Sequence, residues 1–142
     1  AGDGPLKGKL GKRISELDLD AEVDLLGRRE DIPTVLSELN LFIMSSKYEG
    51  LPIAVIEAMA ASLPVLGTDV AGLHELLESN CGRLVPYRNV QALAEAIEEL
   101  MENEILRFEM GRRGRERARL HYSKERMLKD LDDLYKRLLN SR

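Results

Sequence analysis

The chain has 142 residues, of which 44% are hydrophobic and 32% charged, with a net charge of −4, one cysteine and two histidines. That length supports one domain with its own core, and no staple of disulfides or metal is required. The acidic balance argues against nucleic acid as a partner, which needs a basic face, and the lone Cys81 excludes an internal disulfide, which suits a reducing compartment. Cys81, His74 and His121 also give no metal-ligand spacing. No apolar run approaches the ~20 residues of a spanning helix, and the basic, glycine-rich start lacks the apolar region of a signal peptide. The expectation is a cytoplasmic protein. Peripheral membrane contact is expected only through another part of a larger protein.

Gly2-Asp3-Gly4-Pro5 is turn chemistry of the kind that follows a strand, so the chain is expected to begin inside a domain. A helix is predicted over 7–17, then a strand at Val23-Asp24-Leu25-Leu26 ending on Gly27, and a helix over 31–39. The apolar run Leu41-Phe42-Ile43-Met44 predicts a second strand, and Pro64-Val65-Leu66-Gly67-Thr68 a third. Arg83-Leu84-Val85, closed by Pro86, predicts a fourth. Helices over 52–62 and 73–79 lie between them. Continuous apolar runs predict strands buried on both faces. Strands alternating with helices predict an α/β domain with a Rossmann-like parallel sheet and helices on both faces. From residue 90 the pattern is helical only, with helices over 90–103, 104–121 and 123–139. The first carries the stripe Leu93, Ala94, Ile97, Leu100, Met101. The last carries Met127, Leu128, Leu131, Leu134, Tyr135, Leu138, with Ser123 as its N-cap. Met44, Met59, Met101 and Met110 read as core filler.

The segment Leu51 to Leu63 concentrates the chemistry. Pro52 suits the first helical position, and Glu57 is the only charge on an otherwise apolar helix. Its neighbours three and four residues away are Ile53, Ala54, Ala60 and Ala61. A carboxylate there is expected to be buried and to need a partner. A buried Glu held by a backbone amide or basic group is one reading. The other uses Glu49, on the loop between the second strand and this helix. Open parallel sheets bind ligands at the carboxyl ends of their strands, and a helix start offers free amides and a positive dipole end to phosphate. Two acids astride such a seat suit a sugar–pyrophosphate–ribose ligand, since a carboxylate accepts two hydrogen bonds from a diol.

Tyr48-Glu49-Gly50-Leu51-Pro52 followed by Glu57-Ala58-Met59-Ala60 resembles the E-x7-E signature of family-four (group 1) retaining glycosyltransferases of GT-B fold. Gly2-Asp3-Gly4-Pro5, Gly27, Pro64-Val65, Gly72 with Glu75, and Gly82 through Pro86 fall in the same order and spacing, so the resemblance covers nearly the whole chain. It implies that residues 1–142 are a donor-binding domain, half of a GT-B architecture, truncated at its N-terminal edge, with 123–139 as a tail crossing toward an acceptor-binding domain that precedes it. It implies Glu49 as the catalytic acid that contacts the donor sugar, Gly50, Leu51 and Pro52 as the turn whose amides meet the pyrophosphate, and Glu57 as the ribose ligand. It places Gly27 and Arg28 near the base. The implied partner is a nucleotide-diphosphate sugar, UDP-, GDP- or ADP-linked. No metal or other cofactor is implied, and no nucleic acid.

The implied reaction transfers the sugar to an acceptor with retention, the leaving phosphate helping to deprotonate the acceptor. The Arg and Lys that grip the donor phosphates in this family lie before the first glycine turn, so these 142 residues are expected to be inactive alone. A non-catalytic binding or interaction module and a GT-B sugar-nucleotide epimerase are the alternatives. Ser62 and Ala71 stand where the family often has glycine. His74, where proline is common, reads as a neutral loop residue. The arginines between 107 and 119 read as a solvated helix face balanced by Glu102, Glu104, Glu109 and Glu116, rather than an anionic-membrane or phosphate patch.

Overall fold

The computed structural model describes residues 2–140. Among them the elements run α1 (Lys7–Glu16), α2 (Ile32–Ser37), β1 (Phe42–Met44), α3 (Ile53–Ala60), β2 (Val65–Thr68), α4 (Ala71–Leu76), β3 (Arg83–Val85), α5 (Val90–Glu102), α6 (Glu104–His121) and α7 (Lys124–Asn140). The chain divides into two compact units between Val35 and Leu36.

In the first unit the Gly2 amide donates to the Gly27 carbonyl at 2.6 Å. Lys7 pairs with Asp3 at 3.0 Å. No residue of α1 is buried. The expected strand at 23–26 is not formed, because no described segment supplies a ladder for it, and an extended run without a paired neighbour is not a strand. Val23, Leu25 and Leu26 stay 40–45% exposed. Leu25 and Leu26 line, with Pro5, Leu6 and Leu10, a cavity of about 360 Å³.

The second unit carries the sheet. Its strands lie in the order β1-β2-β3, all parallel, with Ile43 opposite Leu66 and Gly67 opposite Leu84. Only β2 is buried along its whole length. The expectation of burial on both faces fails for β1 and β3, the two edge strands of this sheet: Ile43 is 42% exposed, and Arg83 is exposed as well. Helices cover both faces, because successive residues of a strand point to opposite sides. Leu66 packs into a cluster with Val85 and with Ala96, Leu100 and Met110 of α5 and α6. Gly67, its neighbour, faces Leu73 of α4.

The helix ends are fixed by local chemistry. Asn89 accepts from the Ala92 amide at 3.0 Å and caps α5, while Asn103 accepts from Leu106 at 2.9 Å and caps α6. Such caps contribute about 1 kcal/mol each. Arg107 returns to the carbonyls of Leu100 and Met101 at the end of α5. At the end of α3 the Leu63 amide bonds the Ala58 carbonyl and the Ser62 amide bonds Met59, with Ser62 at φ 63°. This is a Schellman closure that ordinarily takes glycine, and it explains why serine at this position is a departure. α6 lies close on α3 because Gly111 approaches the Ser62 carbonyl and Gly114 meets Met59.

Two further expectations need correction. Ala94 is exposed and Met101 is 55% exposed, since the buried positions of α5 are Ala96 and Leu100. The helix placed at 73–79 starts at Ala71 and ends at Leu76, because Val70 is extended and Ser79 and Asn80 adopt positive φ. α7 forms as expected, with the Ser123 hydroxyl accepting from the Arg126 amide at 3.4 Å. No residue of its stripe from Met127 to Leu138 is buried.

Candidate functional site

The loop 45–52 leaves the C-terminal end of β1 and enters α3. Two contacts set its path. Thr68, at the end of β2, is buried and donates its hydroxyl to the Ser46 carbonyl at 2.6 Å. Further along, the Glu49 and Gly50 carbonyls lie against Gly72, in the first turn of α4. A Cβ built on Gly72 would stand 2.1 Å from the Gly50 oxygen and 2.8 Å from the Glu49 oxygen. Glycine is therefore required at 72 by close backbone approach.

α3 begins at Ile53, with Pro52 as N-cap at φ −73°, ψ 99° and no side-chain cap bond. A proline side chain cannot accept a hydrogen bond; of the first-turn amides Val55 bonds the Pro52 carbonyl at 3.0 Å, which leaves those of Ile53 and Ala54 to meet an anion. Glu49 is half-buried on the loop above them. Glu57 follows about 6 Å along the helix from Ile53.

Glu57 is exposed, contrary to the expected burial. α3 packs through Val55, Ala58 and Met59 against α6 and the strands. The opposite face, with Ile53, Ala54, Glu57 and Ala60, is open to solvent. The apolar pattern of α3 is thus that of a helix with one face packed and the other, carrying the single carboxylate, uncovered. Tyr48, 77% exposed, lies on the same loop, and the Lys47 ammonium sits 4.8 Å from its ring centroid. Glu49, Gly50, Leu51, Pro52 and Glu57 are therefore brought to one loop and helix at the carboxyl end of the sheet. Gly27, at φ 65°, and Arg28 belong to the first unit, where Arg28 lies 4.0 Å from Glu30.

Sequence reasoning named Gly72 but not its contact with the loop, and it missed Thr68 and an apolar groove of about 510 Å³ that begins at Leu51 and Ile53 and is walled by Met127, Leu131 and Leu134 of α7. The nearest sequence signal for the groove was the α7 stripe. His74, read as a loop residue, is on α4 with Nδ1 2.9 Å from an Asp69 carboxylate oxygen. Among the described residues no three His, Cys, Asp or Glu side chains converge as a metal site. No described helix is long and apolar enough to cross a membrane.

The family model for glycosyl transferases group 1 matches residues 1–117. Among curated proteins, the chain is 32% identical over 136 residues to the poly(ribitol-phosphate) alpha-N-acetylglucosaminyltransferase of Staphylococcus aureus (strain COL). The match covers 94% of this chain and 28% of that protein. Among solved structures it is similar to a sucrose-phosphate synthase from Thermosynechococcus elongatus, with a TM-score of 0.89 at 26% identity, over 100% of this chain and 38% of that one. It also shares the fold of HepE from Anabaena in complex with UDP-glucose, with a TM-score of 0.87 at 24% identity, over 95% of this chain and 39% of that one. The chain thus spans well under half the length of these relatives. With a parallel sheet, an acid-bearing loop at its carboxyl end and a match over most of its residues, the chain belongs to the group 1 glycosyl transferases.

Proposed function

We propose that residues 1–142 form the donor-binding half of a retaining glycosyltransferase, with a nucleotide-diphosphate sugar seated on the loop 49–52 and the start of α3. The observation that carries this reading is the pairing of an uncapped helix start with two carboxylates, Glu49 before it and Glu57 on its uncovered face. Membership of the group 1 family supports it, as does the UDP-glucose held by HepE, a protein of the same fold. In this reading the amides of Gly50, Leu51 and the first turn of α3 take the pyrophosphate, and Glu57 accepts from the ribose diol. Glu49 acts at the donor sugar. The amides contribute most where charge develops. The bond from the anomeric carbon to the phosphate oxygen breaks, and the growing negative charge on that oxygen is stabilised by fixed donors. The acceptor oxygen forms its bond on the same face and gives its proton to the departing phosphate. The protein works in the cytoplasm, where nucleotide sugars are made, and its acceptor is held by a further domain of the whole protein.

NMR titration of the chain with UDP, GDP, ADP and their sugar conjugates tests the reading and names the base. Binding near 1 mM, a free energy of about −4 kcal/mol, is expected for a ligand clasped from one side. The expected shifts centre on Gly50, Leu51 and Glu57 and vanish in Glu57→Ala with the fold retained. Shifts elsewhere, or an unchanged response in Glu57→Ala, would overturn the assignment.

A further inference from the structure

Two arginines of the arginine-rich helix α6, Arg107 and Arg117, bond the ends of neighbouring helices, and Arg117 does so at α4. Arg117 is 17% exposed at its side chain. Its Nε donates to the Leu76 carbonyl at 2.9 Å, and Nη2 donates to the Glu75 carbonyl at 2.8 Å and to a Glu78 carboxylate oxygen at 3.1 Å. These are the last carbonyls of α4, which a helix terminus otherwise leaves without partners. The Cys81 sulfur lies 3.3 Å from the Leu76 carbonyl and 2.9 Å from the Glu78 carbonyl, so its single thiol hydrogen serves one or the other.

α4 is six residues long, about 9 Å from end to end. Leu73 and Leu76 are fully buried, so the helix is seated along its length. Its far end is Gly72, pressed against the carbonyls of Glu49 and Gly50 without room for a methyl group. A short, packed helix does not absorb displacement, because protein interiors are close-packed. Movement at the Arg117 end is therefore passed to the Glu49–Gly50 backbone. α6 also supports α3 through Gly111 and Gly114. One helix thus holds both elements that flank the loop.

We infer that Arg117 is a positioning residue for the loop 49–52, acting through α4. The planar fork of a guanidinium reaches two adjacent carbonyls and a carboxylate from two of its nitrogens, whereas an ammonium has only one. The functional meaning of this inference rests on the donor-site reading; the mechanical link does not.

The test compares the chain with Arg117→Met, Arg117→Lys and Met110→Ala. Met110 is buried on the same helix, in the cluster with Leu66 and Leu100, and serves as a control for general loss of stability. Urea midpoints are measured for all four, so that each variant is compared under conditions where it is fully folded. The direct readout is the backbone order parameter of Gly50 and Leu51 without ligand. Arg117→Met is expected to lower it from the rigid value near 0.85 to below about 0.6, while Met110→Ala leaves it unchanged. Arg117→Lys falls between them. UDP affinity is expected to drop about tenfold in Arg117→Met, the effect of one lost charge-assisted hydrogen bond, and to hold in Met110→Ala. Unchanged order at Gly50 and Leu51 in Arg117→Met, or an equal loss in Met110→Ala, would overturn the inference. If the loop loosens in Arg117→Met but UDP fails to bind the unaltered chain, the link stands and the donor-site reading falls.

Discussion

Leu25 and Leu66 sit in similar short apolar runs, yet Leu25 is 41% exposed and Leu66 is wholly buried. The first unit keeps Leu6, Leu10, Leu17, Leu25 and Leu26 in partial contact with solvent, and α1 buries nothing. The second unit buries Val55, Met59, Val65, Leu66, Leu73, Leu76 and Leu100 to 1% exposure or less. The difference lies in pairing. A run becomes a strand when a neighbour satisfies its backbone, and a strand then gives helices a surface on which to bury their stripes. Run 23–26 has no such neighbour among the described residues, whereas β2 has one on each side.

Several substitutions sharpen or break this contrast. The largest effect is expected at Leu66→Ala, which should cost about 2–5 kcal/mol in urea unfolding, against less than about 0.5 kcal/mol for Leu25→Ala. Equal costs would show that the two leucines share one environment. Gly72→Ala should cost about 1–3 kcal/mol, because its methyl group meets backbone rather than a movable side chain. The same variant should shift the Gly50 and Leu51 amide resonances, and a variant with normal stability and spectrum would refute the close contact. Ser62→Gly should raise stability by about 0.5–1 kcal/mol by relieving the positive φ at the end of α3. A loss in thermal melting would mean that the Ser62 side chain carries a role of its own.

The smallest effect concerns pH. The hydrogen bond from Arg112, aided by its charge, holds the Glu109 carboxyl below its ordinary value of 4.5. A depressed folded value adds stability above about pH 4.5 that fades as pH falls through the folded value. The pair lies at the protein surface, so the contribution is minor. Melting temperatures of Glu109→Gln should approach those of the unaltered chain as the solution is acidified, and a gap that widens would contradict this.

The arginines of α6 illustrate how far a sequence can be read. Charge balance with nearby glutamates suited a solvated face, and Arg112 and Arg113 do pair with Glu109. Arg107 and Arg117 instead terminate other helices, at the ends of α5 and α4. A long side chain's partner can lie forty residues away, and periodicity carries no record of it. Glu57 makes the same point in reverse. Its apolar neighbours implied burial, but a helix packed on one side exposes whatever lies on the other.

What the sequence determined by itself was the order and type of the elements from residue 41 onward and the placing of Glu49 and Glu57 about a loop and a helix start. Apolar periodicity, prolines and caps are local signals, and local signals suffice for those. What only the tertiary structure decided was which apolar run became a strand, which face of α3 was left open, and how Gly72 and Arg117 hold the loop between them. These depend on neighbours distant in the chain, and only the folded packing brings such neighbours within reach.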